Sequence, residues 1–293
     1  MSGLRLFLMA SRPRTLPAAV APVLVGTSLA VSADEFRALA FVAALIGSVF
    51  IQIGTNLAND YSDARRGADT EDRLGPVRVT AGGLMPPKRV LIGVYVSFAV
   101  AVLAGIYLAI AAGPEMLAVG AVSILAGVLY TGGPRPYGYA GLGELFVFLF
   151  FGLVAVAGSY YVQAEELPWE AFALSVPVGL LASAILVVNN VRDVDTDRRA
   201  GKRTLAVQLG RSGARKLFVA MIVVTFAVPV AIPLAGGLSW WVTLALVSGV
   251  LVPPLMRTVL TRTDGPALNG ALAETGRLLA GFSLLLSVGV LLS

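Results

Sequence analysis

A cluster of amide and carboxylate side chains ends a long apolar run at residues 38–58. On a helix, Asn56, Asp60 and Asp63 lie at positions i, i+4 and i+7, so they share one face. Such oxygen ligands suit a hard cation, and Mg²⁺ in proteins typically uses one or two carboxylates together with substrate phosphates. Charged residues are also common where a membrane helix ends in water, which is the ordinary explanation for one such cluster.

A second cluster repeats the pattern at the end of the apolar run at residues 171–188. Asn189, Asp193 and Asp197 lie at i, i+4 and i+8 on one helical face, whereas Asp195 points the other way. Stacked carboxylates repel each other, so two such clusters indicate that something positive lies between them. We therefore predict that the six residues of the two clusters are ligands of Mg²⁺.

The composition indicates an integral membrane protein. Of the 293 residues, 57% are hydrophobic and 13% are charged, whereas an ordinary soluble domain has about 25% charged residues. The sequence contains no cysteine and no histidine. This excludes disulfides, thiolate chemistry, zinc sites of the usual kind and histidine as a general base. Any catalysis must therefore use carboxylates, Arg or Lys, Tyr, amides and a metal.

We predict one all-α domain over residues 1–293, a polytopic membrane helix bundle. Nine transmembrane helices of roughly 17–23 residues, the length that a bilayer core requires, surround a central cavity that opens on the cytoplasmic side. The predicted spans are 15–32, 38–58, 90–112, 116–132, 142–163, 171–190, 217–236, 239–256 and 271–292.

The distribution of basic residues supports this topology. With nine spans the two termini lie on opposite sides, and all Lys and Arg residues except Arg37 are assigned to the side of the N-terminus. By the positive-inside rule, this side is cytoplasmic. Both Asn/Asp clusters open on it. We therefore expect a protein of the cell (inner) membrane with a cytoplasmic N-terminus and active site and a C-terminus on the opposite side.

Two carboxylate clusters surrounded by basic residues suit a diphosphate. Mg²⁺ would bridge the carboxylates to phosphate oxygens, and arginine forks would hold the remaining oxygens. Arg135 is the favoured base, since it is the only one in the loop 131–137. For each base the alternative is a charge that only sets membrane topology. The predicted diphosphate-binding residues are Arg12, Arg14, Arg78, Arg135, Asn190 and Lys202.

A diphosphate at the mouth of a lipid-facing bundle implies a lipid tail, so the predicted donor substrate is a polyprenyl diphosphate. Metal binding stabilises the leaving diphosphate, the allylic C–O bond breaks with carbocation character, and an electron-rich acceptor captures the cation. Tyr130 and Tyr137 flank Arg135 and are the rings best placed to shield a cation. We predict Asp60, Asp193, Arg135 and Tyr130 as catalytic residues. The role of Glu144, at the start of the fifth span, is open, and a base is one possible partner.

These motifs resemble the UbiA superfamily of intramembrane aromatic prenyltransferases. Asn56, Asp60 and Asp63 match the first motif of that family, and Asp193 and Asp197 match the second. The similarity is sharper for the branch that prenylates 1,4-dihydroxy-2-naphthoate in menaquinone synthesis. The stretches that carry it are 11–17, 59–63, 130–133, 136–139, 189–193 and 201–205.

The resemblance implies Mg²⁺ dependence and attachment of a polyprenyl chain to the naphthoate ring, with loss of CO₂ and diphosphate, to give demethylmenaquinone. The family's first motif often has a longer spacing between its Asp residues, so Asp69 is an alternative to Asp63. Helix geometry favours Asp63. The expected partners are a polyprenyl diphosphate, an aromatic acid acceptor and the lipid bilayer, with no nucleic acid. The sequence does not indicate an oligomeric state.

Two alternative functions remain open. Another aromatic acceptor, such as 4-hydroxybenzoate, would keep the enzyme class. A secondary transporter would use the carboxylates as ion sites, but transporter carboxylates usually lie near the bilayer midplane. An Asp there costs about 2.5–3.5 kcal/mol on the insertion scale. Every Asp of the two clusters lies at a predicted span end, which favours the enzyme.

Overall fold

The computed structural model describes residues 3–68 and 74–293, and within these ranges all regular secondary structure is helical. Two 3₁₀ turns, Pro13–Thr15 and Tyr137–Ala140, connect longer helices. The helices are α1 Gly3–Ser11, α2 Pro17–Ser32, α3 Ala38–Arg65, α4 Pro87–Ala112, α5 Glu115–Leu129, α6 Gly143–Ala164, α7 Trp169–Arg199, α8 Leu205–Leu234, α9 Trp240–Thr261 and α10 Gly265–Leu291. Helix α6 is π-helical over Phe148–Ala157, and α9 is a 3₁₀ helix over Trp240–Leu251.

Seven of these helices, α3, α4 and α6–α10, are long and apolar enough to cross a bilayer. The segments Arg5–Thr15 and Pro17–Ser32 meet at a bend of 55° and make an eighth candidate if the pair is one span. Helix α5 is apolar but has 15 residues, about 22 Å of helix, which is less than a bilayer core of about 30 Å. The predicted all-α membrane bundle is confirmed, and the count of nine spans stays a prediction.

Helices α3 and α7 continue past the predicted ends of their apolar runs and carry both Asn/Asp clusters in regular helix. Both helices end in the same way. Gly67 (φ 64°) and Gly201 (φ 73°) adopt the left-handed conformation just beyond them. In each case two backbone N–H groups donate to backbone carbonyls of the last turn. Gly67 donates to Ala64 at 3.2 Å and Ala68 to Asp63 at 3.0 Å; Gly201 donates to Arg198 at 3.2 Å and Lys202 to Asp197 at 2.9 Å. This is the Schellman motif, which satisfies carbonyls that a helix end leaves unpaired.

Helix α7 lies in the centre of the bundle, packed against α6, α8 and α10. Helix α6 approaches it closely because two glycines face each other. A Cβ added to Gly152 would lie 2.8 Å from the Cα of Gly179. Small residues of this kind let membrane helices pack with their backbones in contact. The start of α6 is thereby held against the part of α7 that carries the second cluster.

The helices pack as two groups. The largest buried apolar cluster joins residues of α2, α6, α7, α8, α9 and α10. Helices α3, α4 and α5 pack on one another beside it. The space between these two groups is where the cavity of the protein lies.

Candidate active site

A cavity of about 360 Å³ runs between α3, α4 and α5 on one side and α2, α6 and α7 on the other. One end is polar and is lined by both Asn/Asp clusters. On α3 the lining residues extend from Asp63 to Ala44, about 28 Å along the helix axis, which is close to the thickness of a bilayer core. The end away from the clusters is lined mainly by Gly, Ala and larger apolar side chains, among them Leu108, Met116 and Val162. The cavity therefore suits a molecule with an ionic head and a long apolar tail.

A chain of contacts joins the two clusters across the polar end. The hydroxyl of Tyr139 donates to Asp63 Oδ1 at 2.5 Å, and Arg78 Nη2 donates to Asp63 Oδ2 at 3.0 Å. Lys202 Nζ lies 4.8 Å above the Tyr139 ring and 3.8 Å from Asp197 Oδ1. Asp63 and Arg78 are both more than 90% buried. Asp63 and Asp197 thus both lie at the polar end of the same cavity.

Asn56 and Asn59 also line the cavity and are buried. Asn56 Nδ2 donates to the Ser11 carbonyl at 2.9 Å and to Thr15 Oγ1 at 3.1 Å, which holds the connection between α1 and α2 against α3. Asn59 Oδ1 accepts from Thr131 Oγ1 at 2.8 Å. The sequence reasoning missed Asn59, although it lies four residues before Asp63, at the spacing that places both on one helical face.

Asp60 is buried on a different side of α3. Its two oxygens accept from the backbone N–H groups of Val79, at 3.1 Å, and Thr80, at 2.9 Å. It is absent from the described residues that line the cavity. The structure therefore brings Asn56 and Asp63 into the cavity wall and directs Asp60 towards the loop that carries Arg78.

In the second cluster, the side chain of Arg192 organises the neighbouring polar groups. Its guanidinium donates to both oxygens of Asp193, from Nε at 2.7 Å and from Nη2 at 2.5 Å. Nη2 also donates to Asn189 Oδ1 at 2.8 Å, and Nη1 donates to Asn269 Oδ1 of α10 at 2.5 Å. Arg192 is 1% exposed. The sequence reasoning did not assign it to the site, although it is the only base between Asn189 and Asp193.

Asp195 lies outside this site. Its side chain is 58% exposed, and Oδ2 accepts from Arg211 Nη2 at 2.9 Å. The sequence-based prediction that Asp195 points away from the stripe of Asn189, Asp193 and Asp197 agrees with this placement. Those three residues all line the cavity.

The predicted diphosphate-binding residues separate into two sets. Arg12, Arg78 and Lys202 line the cavity. Arg14 and Arg135 are exposed, and neither is among the described residues of the cavity wall.

For Arg135 the reason lies in its loop. The turn at Gly133 (φ 71°) and the prolines on both sides of Arg135 fix the chain so that the tyrosines beyond it, and not this base, reach the cavity. Asn190, the remaining predicted residue, lines the cavity but donates its amide Nδ2 to Glu144 Oε1 at 2.8 Å.

Aromatic rings form the wall next to the polar end. The Tyr130 and Tyr137 rings meet edge to face with centroids 5.5 Å apart, and Tyr137 stacks on Phe146 at 4.1 Å. All three residues line the cavity. Burial raises the pKa of Tyr137. Its hydroxyl is therefore protonated and donates to the carbonyl of Ala126 at 2.9 Å. Tyr130 thus lies in the cavity wall, and its predicted role as a cation-shielding ring stays a prediction.

The donor set at the polar end fits a hard divalent cation. It consists of carboxylate and amide oxygens, the ligands that Mg²⁺ prefers. In the described ranges no three Asp or Glu residues form a ligand cluster by themselves, so a cation there would need amide or substrate oxygens as well. Asp69, the alternative to Asp63, lies outside the described residues.

A membrane helix bundle with carboxylates and bases at one end of a long apolar cavity is the architecture expected of an enzyme that acts on lipid substrates. The model of the UbiA prenyltransferase family matches residues 19–273, and the chain belongs to this family. The family resemblance of the motifs is thereby confirmed.

Relatives of known name align over almost the whole chain. The chain is 42% identical to the 1,4-dihydroxy-2-naphthoate octaprenyltransferase of Mycobacterium leprae, over 94% of this chain and 92% of the relative. It is 36% identical to the enzyme of the same name from Escherichia coli, over 100% of this chain and 97% of the relative.

Solved structures share the fold at low sequence identity. A UbiA homologue from Aeropyrum pernix superposes with a TM-score of 0.70 at 16% identity, covering 94% of this chain and 97% of that chain. A UbiA homologue from Archaeoglobus fulgidus, bound to DMAPP and Mg²⁺, superposes with a TM-score of 0.63 at 15% identity, covering 96% and 99%.

Proposed function

We propose that this protein transfers a polyprenyl group from a polyprenyl diphosphate to 1,4-dihydroxy-2-naphthoate, with loss of CO₂ and diphosphate, to give demethylmenaquinone. The observation that carries the proposal is the cavity, which extends about 28 Å along α3, has both Asn/Asp clusters at its polar end and is mainly apolar at the other end. The names of the relatives at 42% and 36% identity support the naphthoate acceptor.

The metal proposal uses the oxygen donors that the structure brings together. Asp63, Asp193 and Asp197 would hold Mg²⁺ together with the amide oxygens of Asn59 and Asn189 and the phosphate oxygens of the substrate, since no three carboxylates of the described residues form a ligand cluster by themselves. When bound, Mg²⁺ would supply positive charge for the diphosphate as it leaves. Asn56 is also predicted as a ligand. Its amide nitrogen donates hydrogen bonds to Ser11 and Thr15 in the connection between α1 and α2.

For Asp60, predicted as a ligand and as a catalytic residue, we propose an indirect role. Both of its oxygens accept from loop amides, so it positions the loop that carries Arg78 over the polar end. Arg78 in turn contacts Asp63. Asp60 thus acts through the diphosphate-binding base and not by contact with the cation.

The bases of the cavity wall hold the diphosphate. Arg12, Arg78 and Lys202 lie at the polar end, and their donors suit phosphate oxygens. Arg14 and Arg135 are exposed, so we assign them no contact with substrate and regard them as topology charges.

The aromatic wall has two roles in the proposed reaction. Tyr130, Tyr137 and Phe146 line the cavity, and aromatic rings stabilise a developing cation through their faces. The same rings exclude water, which would otherwise compete with the aromatic acceptor for the cation.

We also propose the membrane arrangement predicted from the sequence, with nine helices, α2–α10, in one domain over residues 1–293 and with α1 at the interface. The polar end and the N-terminus would face the cytoplasm, and the C-terminus the opposite side. The charge distribution supports this orientation. Arg37, the base assigned to the other side, lies at the far end of α3 from Asp63 and pairs with Glu165 at 2.6 Å.

An acceptor panel with detergent-purified protein tests the proposed function. The protein would be incubated with Mg²⁺, prenyl diphosphates of several lengths, and either 1,4-dihydroxy-2-naphthoate or 4-hydroxybenzoate, and products identified by mass spectrometry. We expect pyrophosphate release and demethylmenaquinone with the naphthoate. A clear preference for 4-hydroxybenzoate would overturn the acceptor assignment. No prenyl transfer to any acceptor would overturn the enzyme assignment.

A further inference from the structure

A buried carboxylate lies directly behind the cavity wall at Asn190. Glu144, the second residue of α6, is 5% exposed, and its Oε1 accepts from Asn190 Nδ2 at 2.8 Å. The Ser183 hydroxyl donates to the Glu144 backbone carbonyl at 3.0 Å. Asn190 lines the cavity, whereas Glu144 is absent from its described lining. The two residues form a pair in which only the amide reaches the cavity.

The partner of Glu144 determines how it acts. The carboxylate pairs with an amide and not with a base, and its Oε2 is buried without a hydrogen-bond partner among the described groups. Burying such a group costs free energy unless it is paired. A fully apolar side chain at position 144 would avoid that cost. A function for the carboxylate explains its presence better than packing does.

The carboxylate fixes the orientation of the Asn190 amide. Glu144 Oε1 accepts from the NH₂ group of Asn190, which leaves the carbonyl Oδ1 of that amide as the acceptor. Without Glu144 the amide could turn and present either group. A carbonyl oxygen accepts a hydrogen bond from a hydroxyl but makes none with an ionised phosphate oxygen, which carries no hydrogen. Asn190 is therefore better suited to a hydroxyl donor than to the diphosphate that the sequence reasoning assigned to it.

An aromatic surface lies beside this acceptor. Gly143, next to Glu144, packs on Tyr130: an added Cβ would lie 3.3 Å from Tyr130 Cε2 and 3.5 Å from the Tyr130 hydroxyl. Tyr130 itself lines the cavity. One part of the wall thus combines an aromatic side chain with a hydrogen-bond acceptor, which together match a hydroxyl-bearing ring.

We propose that Asn190 Oδ1 accepts a hydrogen bond from a ring hydroxyl of the aromatic acceptor and that Glu144 is the positioning residue that holds the amide for it. The inference rests on the proposed function. It adds a binding subsite for the aromatic acceptor at Asn190, separate from the diphosphate subsite at Arg78 and Lys202.

The test compares Glu144→Leu, Glu144→Gln and the matched control Ser183→Ala, which removes the bond to the Glu144 backbone but leaves its carboxylate in place. Steady-state kinetics would give KM for 1,4-dihydroxy-2-naphthoate and for the prenyl diphosphate separately. We expect Glu144→Leu to raise the naphthoate KM about five- to tenfold, the effect of one hydrogen bond, with the prenyl diphosphate KM within about twofold. Glu144→Gln retains an acceptor oxygen for Asn190 and should restore most of the loss. Ser183→Ala should behave as wild type.

Naphthoates that carry hydrogen or methoxy in place of either ring hydroxyl provide a second readout. The intrinsic reactivity of each analogue cancels when wild type and variant are compared. We expect the preference of the wild type for the dihydroxy compound over one analogue to fall about five- to tenfold in Glu144→Leu. A purely structural role for Glu144 would reduce the rates with all analogues equally.

Three results would overturn the inference: an unchanged naphthoate KM in Glu144→Leu, a rise in the prenyl diphosphate KM alone, or equal losses with every analogue. If Glu144→Leu does not give monodisperse protein, Asn190→Ala in the same panel provides the test, because it removes the acceptor oxygen directly. Failure of the wild type to prenylate any hydroxynaphthoate would instead overturn the proposed function. The two failures are therefore distinguishable.

Discussion

Replacing Asp60 by Asn tests whether this carboxylate acts through the loop or through a metal. Both Asp60 oxygens accept from backbone N–H groups, of Val79 and Thr80. In Asp60→Asn, one oxygen becomes an NH₂ group that faces an N–H donor. The variant therefore loses one hydrogen bond to a charged group, about 1.5–3 kcal/mol, and leaves a buried N–H without an acceptor.

The loop that Asp60 holds carries Arg78, which contacts Asp63 at 3.0 Å. If the lost 1.5–3 kcal/mol is needed to bring Arg78 to the diphosphate, the KM for prenyl diphosphate rises about 10- to 100-fold. We expect kcat at saturating prenyl diphosphate to fall much less, because the cation ligands are untouched. Hydrogen exchange of the Val79 and Thr80 amides should become faster in the variant, because their acceptor is weakened.

Kinetics and hydrogen–deuterium exchange on the same detergent-purified preparation provide the measurement. The two readouts separate the competing roles of Asp60. A variant with abolished kcat and unchanged exchange at Val79 and Thr80 would show that Asp60 is a metal ligand after all. A variant with wild-type KM and wild-type exchange would show that the loop does not depend on this carboxylate.

Three further outcomes follow from the same site. Exhaustive chelation with EDTA should abolish turnover and added Mg²⁺ should restore it, because the donor set is all oxygen; full activity after chelation would contradict this. Asp193→Asn should reduce kcat at least about 100-fold, whereas Asp195→Asn should keep more than half of the wild-type kcat. The reason is that Asp195 is exposed and pairs with a base outside the cavity. Equal losses in both variants would refute the inference that only the helical face of Asp193 serves the site. Arg78→Ala should raise the prenyl diphosphate KM about tenfold or more. Replacing the exposed Arg135 by Ala should leave this KM within about twofold. A larger effect of Arg135→Ala than of Arg78→Ala would show that the loop 131–137 brings Arg135 to the bound substrate.

Hydropathy and helical spacing predicted much of this molecule from the sequence. The apolar runs identify the helices of the bundle. The helical spacing groups Asn189, Asp193 and Asp197, which line the cavity, and separates Asp195 from them. It also groups Asp60 with Asp63, but the structure places these two on different sides of α3. The helices α3 and α7 extend beyond their apolar runs, because a helix ends where its backbone is capped and not where its polarity changes. Gly67 and Gly201 mark those caps and are visible in the sequence.

The remaining assignments depend on contacts that local sequence does not contain. Asp60 lies 100° from Asn59 around the helix, and only the path of the following loop decides which of the two faces the cavity. Arg192 finds its partner Asn269 on the last helix, 77 residues away. Arg135 is exposed although it lies between the two clusters in sequence, because side-chain direction in a loop is set by its tertiary packing and not by periodicity.

The shared ending of α3 and α7 has an electrostatic consequence. The carbonyl end of a helix carries a partial negative charge of roughly half an elementary charge, and last turns usually place bases there to offset it. In this protein Asp63 and Asp197 lie in the last turns of α3 and α7, so two negative helix ends and their carboxylates converge on one cavity mouth. Arg65, Arg198 and Arg199 of the same turns, with Arg78 and Lys202 beside the carboxylates, offset part of this negative charge, and a bound cation would offset more of it. Occupancy of the site and stability of the bundle are in this way thermodynamically linked.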